Sequence, residues 1–160
     1  MQDIDLTLLK QKNIKGLILD IDNTLVPTHV KEADDNIIQW LERVKELDFK
    51  VCIVSNASQT RVIKFNEKLK IFAIHRAFKP GSKAFYKAAR LMDLDNGEIA
   101  VVGDQVFTDI YGGNKAGMFT VLTKPIHPDE FIFVKFKRIF EKFVLSLYNK
   151  KTENERKDTD

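Results

Sequence analysis

A single cysteine among 160 residues leaves no partner for an internal disulfide, so packing and hydrogen bonding alone must hold the fold. That residue, Cys52, lies in the apolar run Val51-Cys52-Ile53-Val54, where a thiol serves as a small buried hydrophobe. A reducing, cytoplasmic compartment is the expectation. No apolar run approaches the roughly 18 residues that span a bilayer, which excludes a membrane-spanning helix. The N-terminal stretch has no basic start followed by an apolar core and a small-residue cleavage site, so no secretory signal is expected. Repeats and low-complexity segments are absent, and the seven glycines include Gly16, Gly97, Gly103 and Gly117 at boundaries between periodic stretches. Net charge is also scarce, at +3.

What remains is a composition of 44% hydrophobic and 31% charged residues, that of an ordinary globular domain with enough length for one core. The charge is spread unevenly. Residues 1–130 hold 18 Lys/Arg and 18 Asp/Glu, residues 131–151 hold 6 and 1, and residues 152–160 hold 2 and 4. One domain is expected over residues 1–148, closed by a basic amphipathic helix over 129–148, with a polar, mobile tail over 149–160.

Short apolar runs alternate with longer amphipathic ones, the signature of a parallel sheet flanked by helices. Strands are predicted over 16–20, 51–55, 73–75, 99–103 and 120–122, and helices over 34–47, 59–69, 82–92, 107–116 and 129–148. Asp34 or Asp35, Ser58 and Asp129 mark helix starts. In a doubly wound sheet the carboxyl ends of the strands converge on one crevice, so polar residues closing the strands are the candidates for chemistry.

Four such groups occur. Asp20 and Asp22 close the first strand, and two neighbouring carboxylates repel unless a cation or a difference in protonation separates them. Ser55 and Asn56 close the second, where donors at a helix start can face an anion. Lys79 precedes Pro80, which biases it away from helix, just ahead of the helix predicted over 82–92. Asp104 and Asp109 follow the fourth strand. Taken singly, each has a plain structural reading as a cap, a turn or a surface residue.

In this order, the pattern DxDNTL, VSN, KP and GDQxxTD followed by GGNxxG resembles the haloacid dehalogenase (HAD) superfamily, closest to the YqeG-type branch of subfamily IIIA phosphatases. Relatives of the mitochondrial phosphatidylglycerophosphate phosphatase belong to that branch. The resemblance implies a three-layer, Rossmann-like α/β fold, a five-stranded parallel sheet with helices on both faces. It implies Asp20 as nucleophile on phosphorus, Asp22 as general acid and base, and Ser55, the Asn56 amide and Lys79 as phosphate holders. Mg2+ is the implied cofactor, held by Asp20, the Asp22 backbone carbonyl and Asp104, with Asp109 supporting the site by orienting Lys79 or through a water. Asn23 and Thr24 read as turn-stabilising, with backbone contact to phosphate as the alternative. A receiver domain is the nearest rival, but its lysine would follow the fourth strand, whereas Lys79 precedes it. Residues Pro27-Thr28-His29, and an N-terminus shorter than the branch usually carries, depart from the pattern.

The gaps between Asp22 and Ser55 and between Ser55 and Lys79 leave no room for a cap domain, so an open site serving a large phosphate carrier is expected. The resemblance points to phosphatidylglycerophosphate, a lipid-borne phosphate monoester. Alternatives are a phosphoprotein or nucleotide substrate, or a non-catalytic binding protein such as a ribosome-assembly factor. Residues 131–148 carry a Phe-rich face opposite Lys135, Lys137, Arg138 and Lys142, which either closes the core or contacts the inner face of a membrane. His29, His75 and His127 lack ligand spacing for zinc, Trp40 reads as core, and no aromatic and basic strand face supports nucleic-acid binding.

Overall fold

The computed structural model describes residues 4–126. Five parallel strands form one sheet: β1 (Gly16–Leu19), β2 (Lys50–Val54), β3 (Phe72–Ile74), β4 (Ile99–Gly103) and β5 (Phe119–Leu122), in the order β3-β2-β1-β4-β5. Gly16 pairs with Lys50 on one side and Ile99 on the other, so β1 lies at the centre with its carboxyl end beside that of β4. The strand order reverses between β1 and β4, and the crevice opens there.

Alternation along the strands sends side chains to both faces, each covered by helix. Leu17, Leu19, Val51, Ile53, Ala100 and Val102 face one layer, where α1 (Leu6–Gln11), α2 (Asp35–Glu46) and α3 (Gln59–Asn66) contribute Leu9, Trp40, Leu41, Val44 and Phe65. Ile18, Cys52, Val54 and Val101 face the other, against Phe85, Ala88, Ala89 and Met92 of α4 (Lys83–Met92). Full burial of each large apolar side chain contributes about 1.5–3 kcal/mol. Burial pushes the Cys52 thiol up to about 12, so it stays neutral in the core.

Helix starts follow local chemistry. Asp34 caps α2 by accepting the Ile37 N–H at 2.9 Å, and Ser58 caps α3 by accepting that of Arg61 at 3.3 Å. The helix expected to run to 69 stops at Asn66, whose side chain turns back to exchange two hydrogen bonds with the Ile71 backbone. The continuous helix expected over 107–116 is instead a π-helical turn, Val106–Ile110, followed by α5 (Tyr111–Lys115). The helix α1 was not foreseen; Asp5 caps it by accepting the Leu8 N–H.

No insertion interrupts the sheet between the strands, and no cap domain is present among the described residues. No described helix is long and apolar enough to cross a membrane. Internal packing divides the chain into Met1–Pro128 and Asp129–Asp160. The second unit, with the helix expected over 129–148, the tail over 149–160 and His127 just before them, lies outside the described residues.

Candidate active site

The backbone leaving β1 builds the first part of the crevice. The Asp20 N–H donates to the Val102 carbonyl at 3.1 Å, which holds the ends of β1 and β4 together. The chain then turns tightly: the Thr24, Leu25 and Val26 N–H groups all donate to the Ile21 carbonyl, and Asn23 takes a left-handed conformation at φ 61°. Asparagine tolerates that conformation better than most residues. The same turn aims the Thr24 hydroxyl at Asp104, donating to Oδ1 at 3.2 Å. Sequence reading gave Thr24 a place in the turn and, as an alternative, a backbone contact to phosphate; here its side chain also fixes a carboxylate 80 residues away.

Lys79 enters from the loop after β3 and is buried. Its Nζ donates to Asp20 Oδ1 at 2.8 Å and to Asp109 Oδ1 at 2.6 Å. Its backbone is clamped at both ends by one side chain: the Lys79 N–H donates to Asn56 Oδ1 at 2.8 Å, and Asn56 Nδ2 donates to the Lys79 carbonyl at 3.2 Å. Asn56 therefore positions the lysine as well as standing beside Ser55. Ser55 is buried, and its Oγ accepts the Ala57 N–H at 3.2 Å.

The π-helical turn brings Asp109 back over the end of β4. Its Oδ2 accepts the Gln105 N–H at 3.2 Å, and a Cβ at Gly103 would collide with its carboxylate. That glycine is required by close approach.

Asp20, Asp104 and Asp109 each offer an oxygen within 4.8 Å of the others, all buried. Burial would strip Lys79 of its proton, but the charges and hydrogen bonds of Asp109 and Asp20 outweigh it and raise its pKa. Asp109 is less well served, because it shares that one ammonium with Asp20. Burial pushes its carboxyl up to about 6 against the pull of Lys79, and repulsion from Asp20 and Asp104 adds to the rise. Three buried carboxylates against one ammonium leave an excess of negative charge on an all-oxygen donor set. A hard divalent cation fits that excess and those donors.

Asp22 lies outside this cluster, on the rim. Its Oδ1 accepts from an Arg61 guanidinium nitrogen at 3.0 Å, while the other terminal nitrogen of Arg61 donates to the Lys31 carbonyl at 3.1 Å. Arg61 also stacks over Phe65 at 5.4 Å. Burial raises the Asp22 pKa; Arg61 opposes the rise, and Asp20 reinforces it. Arg61 escaped the sequence reading, although a signal existed. It occupies the first turn of α3, where the helix dipole disfavours a cation, so a partner was needed.

The four motifs thus meet at the switch point of the sheet: Asp20, Lys79, Asp104 and Asp109 in one buried cluster, Ser55 and Asn56 beside it, and Asp22 at its edge. The arrangement places a buried carboxylate, a fixed cation and a half-buried acid at one crevice.

The chain is similar to several known proteins. The family model described as mitochondrial PGP phosphatase matches residues 1–127. The probable phosphatase YqeG of Bacillus subtilis (strain 168) is 42% identical over 143 residues, covering 89% of this chain and 83% of that protein. The phosphatidylglycerophosphate phosphatase 1, chloroplastic/mitochondrial, of Arabidopsis thaliana is 29% identical over 142 residues, covering 82% of this chain but only 40% of that longer protein. Among solved structures, the cobalt-bound deoxy-D-mannose-octulosonate 8-phosphate phosphatase of Haemophilus influenzae superposes with a TM-score of 0.56 at 17% identity, covering 72% of this chain and 81% of that one. At that identity the likeness shows the fold.

Proposed function

The chain belongs to the mitochondrial PGP phosphatase family, hydrolases of phosphate esters on the HAD fold, and we propose that it dephosphorylates phosphatidylglycerophosphate. Family membership sets aside the reading as a non-catalytic binding protein. The observation that carries the site assignment is the buried Asp20 carboxylate held by Lys79 at the switch point, with a second acid, Asp22, kept apart on Arg61.

In this reading an Asp20 oxygen attacks phosphorus, forming an aspartyl-phosphate as the ester P–O bond breaks. The leaving alkoxide takes its proton from Asp22, whose raised pKa favours the protonated acid. Asp22 then takes a proton from water as the water oxygen attacks phosphorus, releasing inorganic phosphate and restoring Asp20. Lys79, Ser55 and the Asn56 amide hold the phosphoryl oxygens, and fixed donors of this kind are most of what phosphoryl transfer needs. Asp109 orients Lys79 through their 2.6 Å contact. Mg2+ is the cation we assign, with Asp20, Asp104 and the Asp22 backbone carbonyl as its ligands; when bound it offsets phosphate charge.

The absence of a cap domain among the described residues supports a substrate on a large carrier, and a lipid phosphate is the one that the Arabidopsis relative's description names. A place at the inner, cytoplasmic face of a membrane follows from that substrate. The test is phosphate release by the full chain from phosphatidylglycerophosphate in mixed micelles, with and without Mg2+, beside a phosphopeptide and a nucleoside monophosphate. Mg2+-dependent release from the lipid, lost in Asp20→Asn, supports the proposal; preference for either other ester replaces the substrate.

A further inference from the structure

The even charge balance of residues 1–130 conceals a second basic region. Residues 68–92 hold seven Lys/Arg and no Asp/Glu, whereas the rest of the described residues hold 11 and 15. Lys79 is spent inside the site and Lys68 pairs with Glu32. Lys70, Arg76, Lys83, Lys87 and Arg90 are all exposed, and none forms an ion pair among the described residues. Exposed cations without an ion pair occur elsewhere too, but there they are interspersed with the 15 acids; within 68–92 no acid is interspersed, so the stretch carries charge of one sign.

Within this stretch stands Phe78, 82% exposed and next to the site lysine. The backbone holds it there. On one side the Arg76 and Ala77 N–H groups donate to the Ala57 and Ser55 carbonyls; on the other, Asn56 clamps Lys79, and the Gly81 N–H returns to the Phe78 carbonyl at 2.9 Å. Arg76 and Phe78 both adopt positive φ, at 47° and 53°, which costs a non-glycine residue about 1 kcal/mol each. The loop that delivers Lys79 to Asp20 thus presents an aromatic ring to solvent that it cannot fold away. Arg76 and Phe78 line an open hollow of about 640 Å³ with Asn56 and Lys79.

A fixed apolar tip beside the exposed Arg76, with Lys83 and Lys87 following in the first turns of α4, matches the chemistry of an anionic bilayer surface: cations meet headgroups and the ring enters the acyl boundary. We propose that the loop after β3 and the exposed side of α4 form a docking face for anionic phospholipid membrane, with Phe78 as its apolar anchor and Arg76, Lys83 and Lys87 as its headgroup contacts. This deepens the lipid-substrate reading and rests on it for the choice of partner. It draws on none of the residues of the basic segment 131–151.

The test is flotation of the full chain with phosphatidylglycerol vesicles and with neutral phosphatidylcholine vesicles, alongside turnover of a soluble aryl phosphate. Two variants serve: Phe78→Asn, which suits the left-handed backbone, and Lys83→Glu/Lys87→Glu. Wild type is expected to float with the anionic vesicles only, and less so in high salt. Each variant should lose about tenfold or more of that binding, the first because it removes the apolar anchor and the second because it reverses two headgroup contacts, while soluble-ester turnover stays within about twofold. Variants that float like wild type overturn the proposal, as does wild type that ignores anionic vesicles. Loss of binding in the charge variant alone, reproduced with single-stranded nucleic acid in place of vesicles, makes the face a polyanion site instead. Lost flotation without any phospholipid turnover by wild type retains the docking face and removes the substrate reading; retained flotation with turnover does the reverse.

Discussion

Two acids of the same motif live in different surroundings. Asp20 is buried against Lys79 in a cluster of four charged side chains, while Asp22, two residues on, sits at the rim beside Arg61 with its side chain 27% exposed. The interior group is held by contacts that water cannot replace, so its charges must be satisfied by one another or by a cation. The rim pair shares its field with solvent and can adjust as substrate arrives. Covalent chemistry needs the first kind of surroundings and proton traffic the second. Damage to the interior should therefore cost stability and activity together, and damage to the rim should cost activity almost alone.

The largest expected break is Lys79→Met. It leaves Asp20 and Asp109 without their cation, and loss of one partner from a buried pair typically costs about 3–5 kcal/mol. Thermal unfolding should show a fall of many degrees in metal-free buffer, partly restored by Mg2+, with phosphate release lost. Preserved stability would mean the cluster does not depend on the ammonium.

Asp22→Asn should separate the two regions cleanly. Turnover of an alkyl phosphate, whose leaving oxygen needs a proton, should fall by about 10²–10⁴, and an aryl phosphate should lose far less. Its Tm should stay near that of wild type. Equal losses on both esters would contradict proton donation by Asp22.

Asp109 offers a pH test of the interior. Its folded pKa, about 6, lies above the unfolded value of 3.8, so the folded state binds more protons in that window and loses stability as pH rises through it. Without metal, the Tm of Asp109→Asn minus that of wild type should rise as pH increases from about 4 to about 7, whatever the offset caused by losing the contact with Lys79. A difference that does not change with pH would remove the buried charge as its cause.

The smallest effect is expected at Arg61→Ala. The pair is part-exposed, so stability should move by about 1 kcal/mol or less. Arg61 lowers the Asp22 pKa, and its removal should raise that pKa further, moving the alkaline limb of kcat for alkyl phosphates to higher pH. A limb that stays in place would detach Arg61 from Asp22 in function.

The strands and the order of the motifs were legible because both rest on local pattern: apolar runs, and polar residues at their ends. What escaped depends on partners distant in the chain. Asn56 meets the Lys79 backbone across 23 residues, and Arg61 meets Asp22 across 39. Six-residue α1 is too short for helical periodicity, and Asp5 was the one cue to its start. The predicted helix over 107–116 had the right composition but the wrong winding. A π-helical turn places Asp109 over Gly103 and against Lys79, and that tertiary demand overrides local preference.

The central claim is that Asp20 carries the phosphoryl group. Acid-quenching the protein during turnover and mapping its peptides tests this directly. Phosphate should appear on the peptide holding Asp20, accumulate in Asp22→Asn where water is no longer activated, and be absent from Asp20→Asn. Product formation with no phosphate on that peptide, or with phosphate on another residue, would contradict the account.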